Sequence, residues 1–541
     1  MTNQQSNIDD LLQQARAKRQ PDTAALVPER CKAWHDVANA LGKVVLSEES
    51  PNLIAGAAEC LTVDGINLAQ VERVTTNFLR HHLQQVFSGS RDALIETSRA
   101  LQSWRLSEPF ALLTTYLKNG FVSSASLELT LTQVRRNLLA HIMSEDADKS
   151  LPASEALAVA FALCGSRTDF VFSESDQETA VVERLLAKIF SEEERISEEE
   201  FLNISLVAMY RPLALYPRAN EMLDACIARG NVDALLLARV HLQEPMEESS
   251  LRDSISTLSP ITDDISKAVR GQYEESPFPK WHRLPVHIKA LNSNPSLEEV
   301  PTLIAGCGTG RQALALAMAW PNRDITAIDL SLSSLAYGLR KSCEYGVSNI
   351  KFLHGDLLDL EASGLRFSKI SSVGVIHHMK HPAAGLRALR SVMAGRHGLR
   401  IEIYTESGRR NVMAGIALRK ELRLTSSPED MRHLRTVVAE LPSGHPAKSL
   451  MTYRDFYSLS EWRDLVFHVQ EHRFTIKSFC KMAHGAGLYV QRLELPDAAT
   501  AAFKRTYPDE NVSGDIAKWH SVEMDNPGIF GSMYGFDLAK I

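Results

Sequence analysis

Along the first half of the chain, apolar residues recur at intervals of three and four. Val71, Val74, Phe78, Leu79 and Leu83 fall on one helical face. Segments 112–117, 127–139 and 156–163 continue the pattern, and strand-like alternation is nearly absent between about residues 30 and 255. Ser154 ahead of Glu155 reads as a helix N-cap, and Ser197 with Glu200 three residues on as a capping box. The Glu-rich run 191–200 reads as a solvated helix start. Helices in series suggest a solenoid, but no repeat of roughly 34 residues with the expected small and aromatic positions is present.

The pattern changes near Ser259-Pro260, where a Pro-punctuated aromatic segment, Gln272-Tyr-Glu-Glu-Ser-Pro-Phe-Pro-Lys-Trp281, begins soon after. Such a segment packs between domains or forms a flap over a ligand pocket. Beyond it strands and helices alternate. Strands are expected at 302–305, 325–328, 350–353, 370–376 and 399–404, with helices at 312–319, 332–345 and 382–393. That alternation predicts a parallel sheet with helices on both faces. Residues 405–473 are too many for a simple connection and read as an inserted lid. A helix at 475–486, stopped by Gly487, a strand at 488–495 and a last strand at 530–538 close the pattern.

The 541 residues exceed what one hydrophobic core organises. At 44% hydrophobic and 23% charged, with net charge −7 and no run of Lys and Arg, a broad nucleic-acid surface is disfavoured. Seven scattered cysteines without a CxxC pair suit reduced thiols. The polar first 20 residues are unlike a signal peptide, and no apolar run reaches the roughly 18 residues of a membrane span. A cytoplasmic protein, with no membrane or nucleic-acid partner, is the expectation.

The chemistry centres on Leu303-Ile-Ala-Gly306-Cys-Gly308-Thr-Gly310, which leaves a strand and opens a helix. Glycines at alternate positions allow a tight turn and close approach of a ligand. Asp329 ends the next strand, 19 residues after Gly310, where a carboxylate can accept ribose hydroxyls. A dinucleotide loop needs a third glycine at 311, which is Arg311 here. The GxGxG register therefore favours S-adenosylmethionine (SAM), which has no phosphates, over NAD(P). Asp356, after the third strand, can take the adenine amino group or cap the turn at Leu357.

Ala305-Gly-Cys-Gly-Thr-Gly310, Asp329, Gly355-Asp356 and Val375-Ile-His-His-Met379 resemble the class I (Rossmann-like) SAM-dependent methyltransferases. The aromatic segment 272–281, Asp455-Phe-Tyr-Ser458 and His468-Val-Gln-Glu-His-Arg-Phe474 look like bacterial methyltransferases fused to N-terminal tetratricopeptide-type helices. The resemblance implies an α/β domain with a seven-stranded, mostly parallel sheet, its last strand antiparallel, preceded by an all-α domain. It implies that Gly306, Gly308 and Gly310 line the methionine part, Asp329 the ribose and Asp356 the adenine, with Cys307, Leu330, Leu357 and Val375 beside them. Many such enzymes carry an acidic residue two before the first glycine. Ile304 stands there, so the methionine amine must be recognised elsewhere.

The expected organisation is a helical domain at 1–255, a linker and flap at 256–298, and a methyltransferase domain at 299–541 with its lid at about 405–474. For chemistry, His377 and His378 follow the fourth strand, where either is a candidate base or a pocket-shaping group. Tyr457, Glu471 and His472 are further catalytic candidates. Tyr273, Trp281, His468 and Arg473 are substrate-binding candidates, with Arg473 an anion clamp. On a helix, His468 and His472 would share a face, but two ligands without a carboxylate in reach do not make a metal site, and none is expected. The methyl acceptor, a small molecule or a protein, offers an O, N, S or C nucleophile. The alternative is a SAM-binding scaffold whose helices bind a protein partner or self-associate.

Overall fold

A computed structural model describes residues 2–18, 28–87, 107–144, 152–190, 195–284, 300–512 and 516–541. The chain forms two compact units. The first holds the described residues of Met1–Glu247, Trp281–Ser293 and Met451–Leu459; the second holds those of Glu248–Lys280, Asn294–Leu450 and Ser460–Ile541. The expected linker and flap at 256–298 thus divides between the two units, and its residues 285–298 lie outside the described residues.

The first unit is helical. In helix Ala69–Phe87 the residues Val71, Val74, Phe78, Leu79 and Leu83 are all buried, as their spacing predicts. The capping box lies elsewhere than expected. Ser197 precedes only a 3-10 turn and makes no side-chain cap bond, whereas Ser175 and Glu178 cap helix Asp176–Ile189 reciprocally. Glu178 also accepts from Tyr210 Oη at 2.9 Å and Arg135 Nη2 at 3.2 Å, so its buried charge is paired. Ser154 lies inside the first turn of helix Pro152–Thr168 rather than ahead of it.

The second unit is built on an eight-stranded sheet: β1 Ser256–Thr257, β2 Thr302–Ala305, β3 Ile325–Asp329, β4 Ile350–His354, β5 Lys369–Val373, β6 His397–Tyr404, β7 Leu488–Leu493 and β8 Met533–Lys540. Their order is β1-β4-β3-β2-β5-β6-β8-β7, parallel except for β8, which runs antiparallel to both neighbours. Seven strands were expected; the eighth is β1, pairing Ser256 with Leu353 and Thr257 with His354. Two residues are too few to show alternation, so only tertiary pairing reveals this edge. The last strand begins at Met533 rather than at 530.

Helices cover both faces because the crossovers between parallel strands require it. Helix Ile476–Gly485 buries Ile476, Phe479 and Ala483, and ends where Gly487 takes φ +76°. Two helices the pattern did not predict, Asp497–Thr506 and Ile516–Asp525, bury Phe503 and Trp519 against the same core. Among the described residues no helix is long and apolar enough to cross a membrane.

Phe479 is fully buried and stacks on Phe536 with ring centroids 4.2 Å apart. Phe479→Ala is expected to destabilise the second unit by about 3–5 kcal/mol, read as a shift in its denaturant midpoint. A loss below about 1 kcal/mol would contradict this packing.

Candidate active site

The glycine loop begins where β2 ends at Ala305. Gly306, Gly308 and Gly310 have φ of +73°, +51° and +77°, which a side chain would strain. A Cβ on Gly306 would meet Val375 at 2.3 Å, and one on Gly308 would meet the Phe278 carbonyl oxygen at the same distance. The aromatic segment therefore lies directly on the loop. Thr309 N–H donates to Phe278 O at 3.2 Å, and Thr309 Oγ1 donates to Pro279 O.

All five amides of the loop are engaged inside the protein. Gly306 and Cys307 donate to Ile328 O, Gly308 to Asp329, Thr309 to Phe278 O and Gly310 to Cys307 O. A pyrophosphate needs such amides free. Asp329 accepts from Gly308 N at 2.7 Å and Ser331 N at 3.0 Å, with the Leu330 amide also facing it. A carboxylate has about four acceptor positions, so one remains for a hydroxyl. Burial pushes the Asp329 carboxyl above its ordinary range, and the amides of Ser331 and Gly308 pull it back. These residues fit a nucleoside whose ribose meets Asp329.

Asp356 is buried at the start of a 3-10 turn and accepts from Leu358 N at 2.9 Å, so it does cap the turn. Leu357 lies in the apolar core. The Leu330 carbonyl holds His354 Nε2 at 3.1 Å.

Helix Asp264–Glu275 joins this region to the histidines. The Tyr273 carbonyl accepts from Ser331 Oγ at 3.0 Å, beside Asp329, and the Glu274 carboxylate accepts from Leu332 N at 2.6 Å at the start of helix Leu332–Glu344. Meanwhile Tyr273 Oη donates to Asp464 Oδ1 at 2.7 Å and lies 3.2 Å from His468 Nε2.

The histidine tautomers follow from their partners. His378 Nδ1 meets the Gln470 carbonyl at 2.7 Å and so carries hydrogen, which leaves a lone pair on Nε2. His468 Nδ1 accepts from Gln470 N at 3.1 Å, so its Nε2 is the donor to Tyr273. His377 Nδ1 accepts from Tyr404 N at 3.3 Å, and its buried Nε2–H has no partner among the described residues. Burial holds His378 down at about 3, with the His468 charge adding to it, and burial holds His468 down at about 4; burial also lowers His377. All three rings are therefore neutral near pH 7.

Residues 468–473 are not helical, so His468 and His472 share no helix face. His472 N donates to His377 O at 2.8 Å and Phe474 N to Tyr404 O at 3.0 Å, and this tertiary pairing replaces the helical ladder. Glu471 is committed to Arg409, which is 2% exposed, stacks over Tyr404 at 3.8 Å and reaches Glu471 Oε1 through Nε at 3.3 Å. His472 Nε2 accepts from the Gln470 side chain at 3.0 Å, and Arg473 is half-buried. Tyr457 and Trp281 belong to the first unit, where both are buried; the Tyr457 hydroxyl donates to Met451 O at 2.7 Å. Asp464 and Arg409 were missed in the sequence. Asp464 carried a signal, as a carboxylate inside the apolar run Leu459, Trp462, Leu465, Val466, Phe467.

Residues 303–395 match a family model described as a methyltransferase domain. A curated, uncharacterized protein of Synechococcus is 29% identical over 260 residues, covering 44% of this chain and 62% of that protein. Another, of Rickettsia prowazekii, is 27% identical over 119 residues, covering 20% and 48%. The chain thus spans less than two thirds of either relative. Similar solved structures include PKMT2 of Rickettsia typhi in complex with AdoHcy, 17% identical over 53% of this chain and 54% of that one, TM-score 0.36. The magnesium protoporphyrin IX methyltransferase of Synechocystis with bound SAM is 13% identical over 52% and 100%, TM-score 0.29. The residues that match the methyltransferase-domain model lie in the second unit.

The lowered histidines set a pH dependence of stability. Below about pH 6.5 the unfolded chain takes up protons that folded His378 and His468 refuse, so stability falls as pH drops toward 4 and is fully present above 6.5. At pH 5 each histidine contributes a loss of about 2 kcal/mol. His378→Gln should flatten the slope of denaturant midpoint against pH between 7 and 5; an unchanged slope would show that this ring titrates normally.

Proposed function

We propose that this chain, which carries a methyltransferase domain, transfers the methyl group of SAM to an acceptor held beside His378, His468 and Tyr273. The observation that carries the reading is the closed set of loop amides around Asp329. Nothing in the loop is left for a phosphate, while the strand-end carboxylate keeps an acceptor position.

In this reading the loop 306–310 and Val375 shape the methionine end, Asp329 and Leu330 hold the ribose, and Asp356 with Leu357 borders the adenine. Bound SAM supplies an activated methyl group on a sulfonium. The protein's task is then to place the nucleophile in line and to take its proton where it has one. His378 presents a neutral Nε2 lone pair, held in that tautomer by the Gln470 carbonyl. Tyr273 links both halves of the site, its carbonyl on Ser331 and its hydroxyl on Asp464. Glu471 and Arg409 brace the lid, and His377 supports His378 from the side, with ring centroids 4.3 Å apart.

Calorimetry with S-adenosylhomocysteine tests the cofactor. Binding without binding of NADH is expected, and absence of heat with the homocysteine would sink the reading. Asp329→Ala should weaken it about tenfold or more, since a charged acceptor of hydrogen bonds is lost. Unchanged affinity would show that the ribose lies elsewhere.

A further inference from the structure

Just past the segment that covers the glycine loop, the chain changes unit: Lys280 belongs to the second and Trp281 to the first. On one side of that crossing, Phe278 and Pro279 give their carbonyls to Thr309. On the other side Trp281 and Leu284 are buried, and Arg283 between them is held by three acceptors. Its Nη1 donates to the Leu61 carbonyl and its Nη2 to Asn119 Oδ1 at 2.8 Å, while its Nε lies 2.9 Å from Asp64 Oδ1. Leu61 is the last residue of helix Pro51–Leu61, and Asn119 the last of helix Glu108–Asn119. The last carbonyls of a helix lack intrahelical partners and carry the negative end of its dipole. One planar guanidinium therefore ties two helix ends and a carboxylate together, with its donors spread around a rigid fork.

We infer that Arg283 is a positioning residue for the glycine loop: by clamping the chain to these two helix ends it keeps the Phe278 and Pro279 carbonyls on Thr309. That the loop holds a cofactor rests on the methyltransferase reading above; the clamp itself does not.

The reasoning is one of slack. Three residues separate Pro279 from Arg283, and Trp281 among them is itself buried. With Arg283 fixed, the covering segment is tethered at both ends, by helix Asp264–Glu275 before it and by the clamp after it. Without the clamp one end is released, and the segment regains backbone freedom that its two bonds to Thr309 must then oppose unaided. The Thr309 amide loses its acceptor whenever the segment lifts. A loop that spends part of its time in other shapes binds its ligand more weakly in proportion to the competent fraction. The competing account is that Arg283 only holds the helical unit together, in which case nothing at residues 306–310 responds to its loss.

The test uses the full chain without ligand and compares Arg283→Ala with the unaltered protein by hydrogen exchange and mass spectrometry. Exchange in the peptide spanning 306–311 should quicken about fivefold or more, while the peptide covering helix Ile476–Gly485 exchanges as before. In calorimetry, S-adenosylhomocysteine should bind the variant about fivefold or more weakly. Unchanged exchange at 306–311 in a folded variant overturns the proposal, as does quickening that is equal in both peptides, which reports general loosening. If Arg283→Ala loses its cooperative denaturant transition, Asp64→Ala decides. Asp64 is mostly exposed, and its loss removes one of the three acceptors. Faster exchange at 306–311 alone supports the clamp, and no change there overturns it. If S-adenosylhomocysteine does not bind the unaltered chain, the methyltransferase reading fails, and the exchange measurement still tests the clamp.

Discussion

The hydrogen bonds between the segment Tyr273–Pro279 and the glycine loop are the constraint on which the site depends. Phe278 and Pro279 give their carbonyls to Thr309, and Tyr273 gives its own to Ser331. Without these bonds the Thr309 amide would be an unsatisfied donor at the mouth of the sheet, and the two halves of the site would have no common frame. With them, one short helix and its Pro-stiffened tail fix the cover of the glycine loop and the position of the Tyr273 hydroxyl together. Gly308 is the residue that makes this possible, because any Cβ there would collide with the Phe278 carbonyl.

The same economy explains why SAM and not a dinucleotide fits the loop. The two ligand types share a strand–loop–helix frame and a ribose carboxylate, and they differ in what the loop amides must do. Here those amides hold the loop to itself, to Asp329 and to the cover. The selectivity thus resides in backbone hydrogen bonds that the glycine register permits, and Arg311, where a third dinucleotide glycine would stand, accords with it.

Much of this was legible in the sequence because period and punctuation are local signals. The alternation of β2 to β6 with helices, Gly487 after its helix, and the buried face of helix Ala69–Phe87 follow from residues a few positions apart. What was not legible depends on distant partners. β1 exists only because two residues meet the end of β4. On a helix His468 and His472 would share a face, yet the His472 and Phe474 amides pair with the carbonyls of His377 and Tyr404. Glu471 looks like a free base in one dimension and is an ion-pair partner in three. Asp464 could have been suspected from its apolar neighbours, but its proximity to His378, 86 positions earlier in the chain, could not.

Two acids near Arg409 are held by different contacts. Glu471 is 8% exposed and has a guanidinium against it, so its desolvation is offset inside the protein. Asp464, as deeply buried, accepts the Tyr273 hydroxyl and lies in the field of the same Arg409 guanidinium. Burial keeps His378 and His468 neutral, and their bonds to Gln470 fix which nitrogen carries the hydrogen.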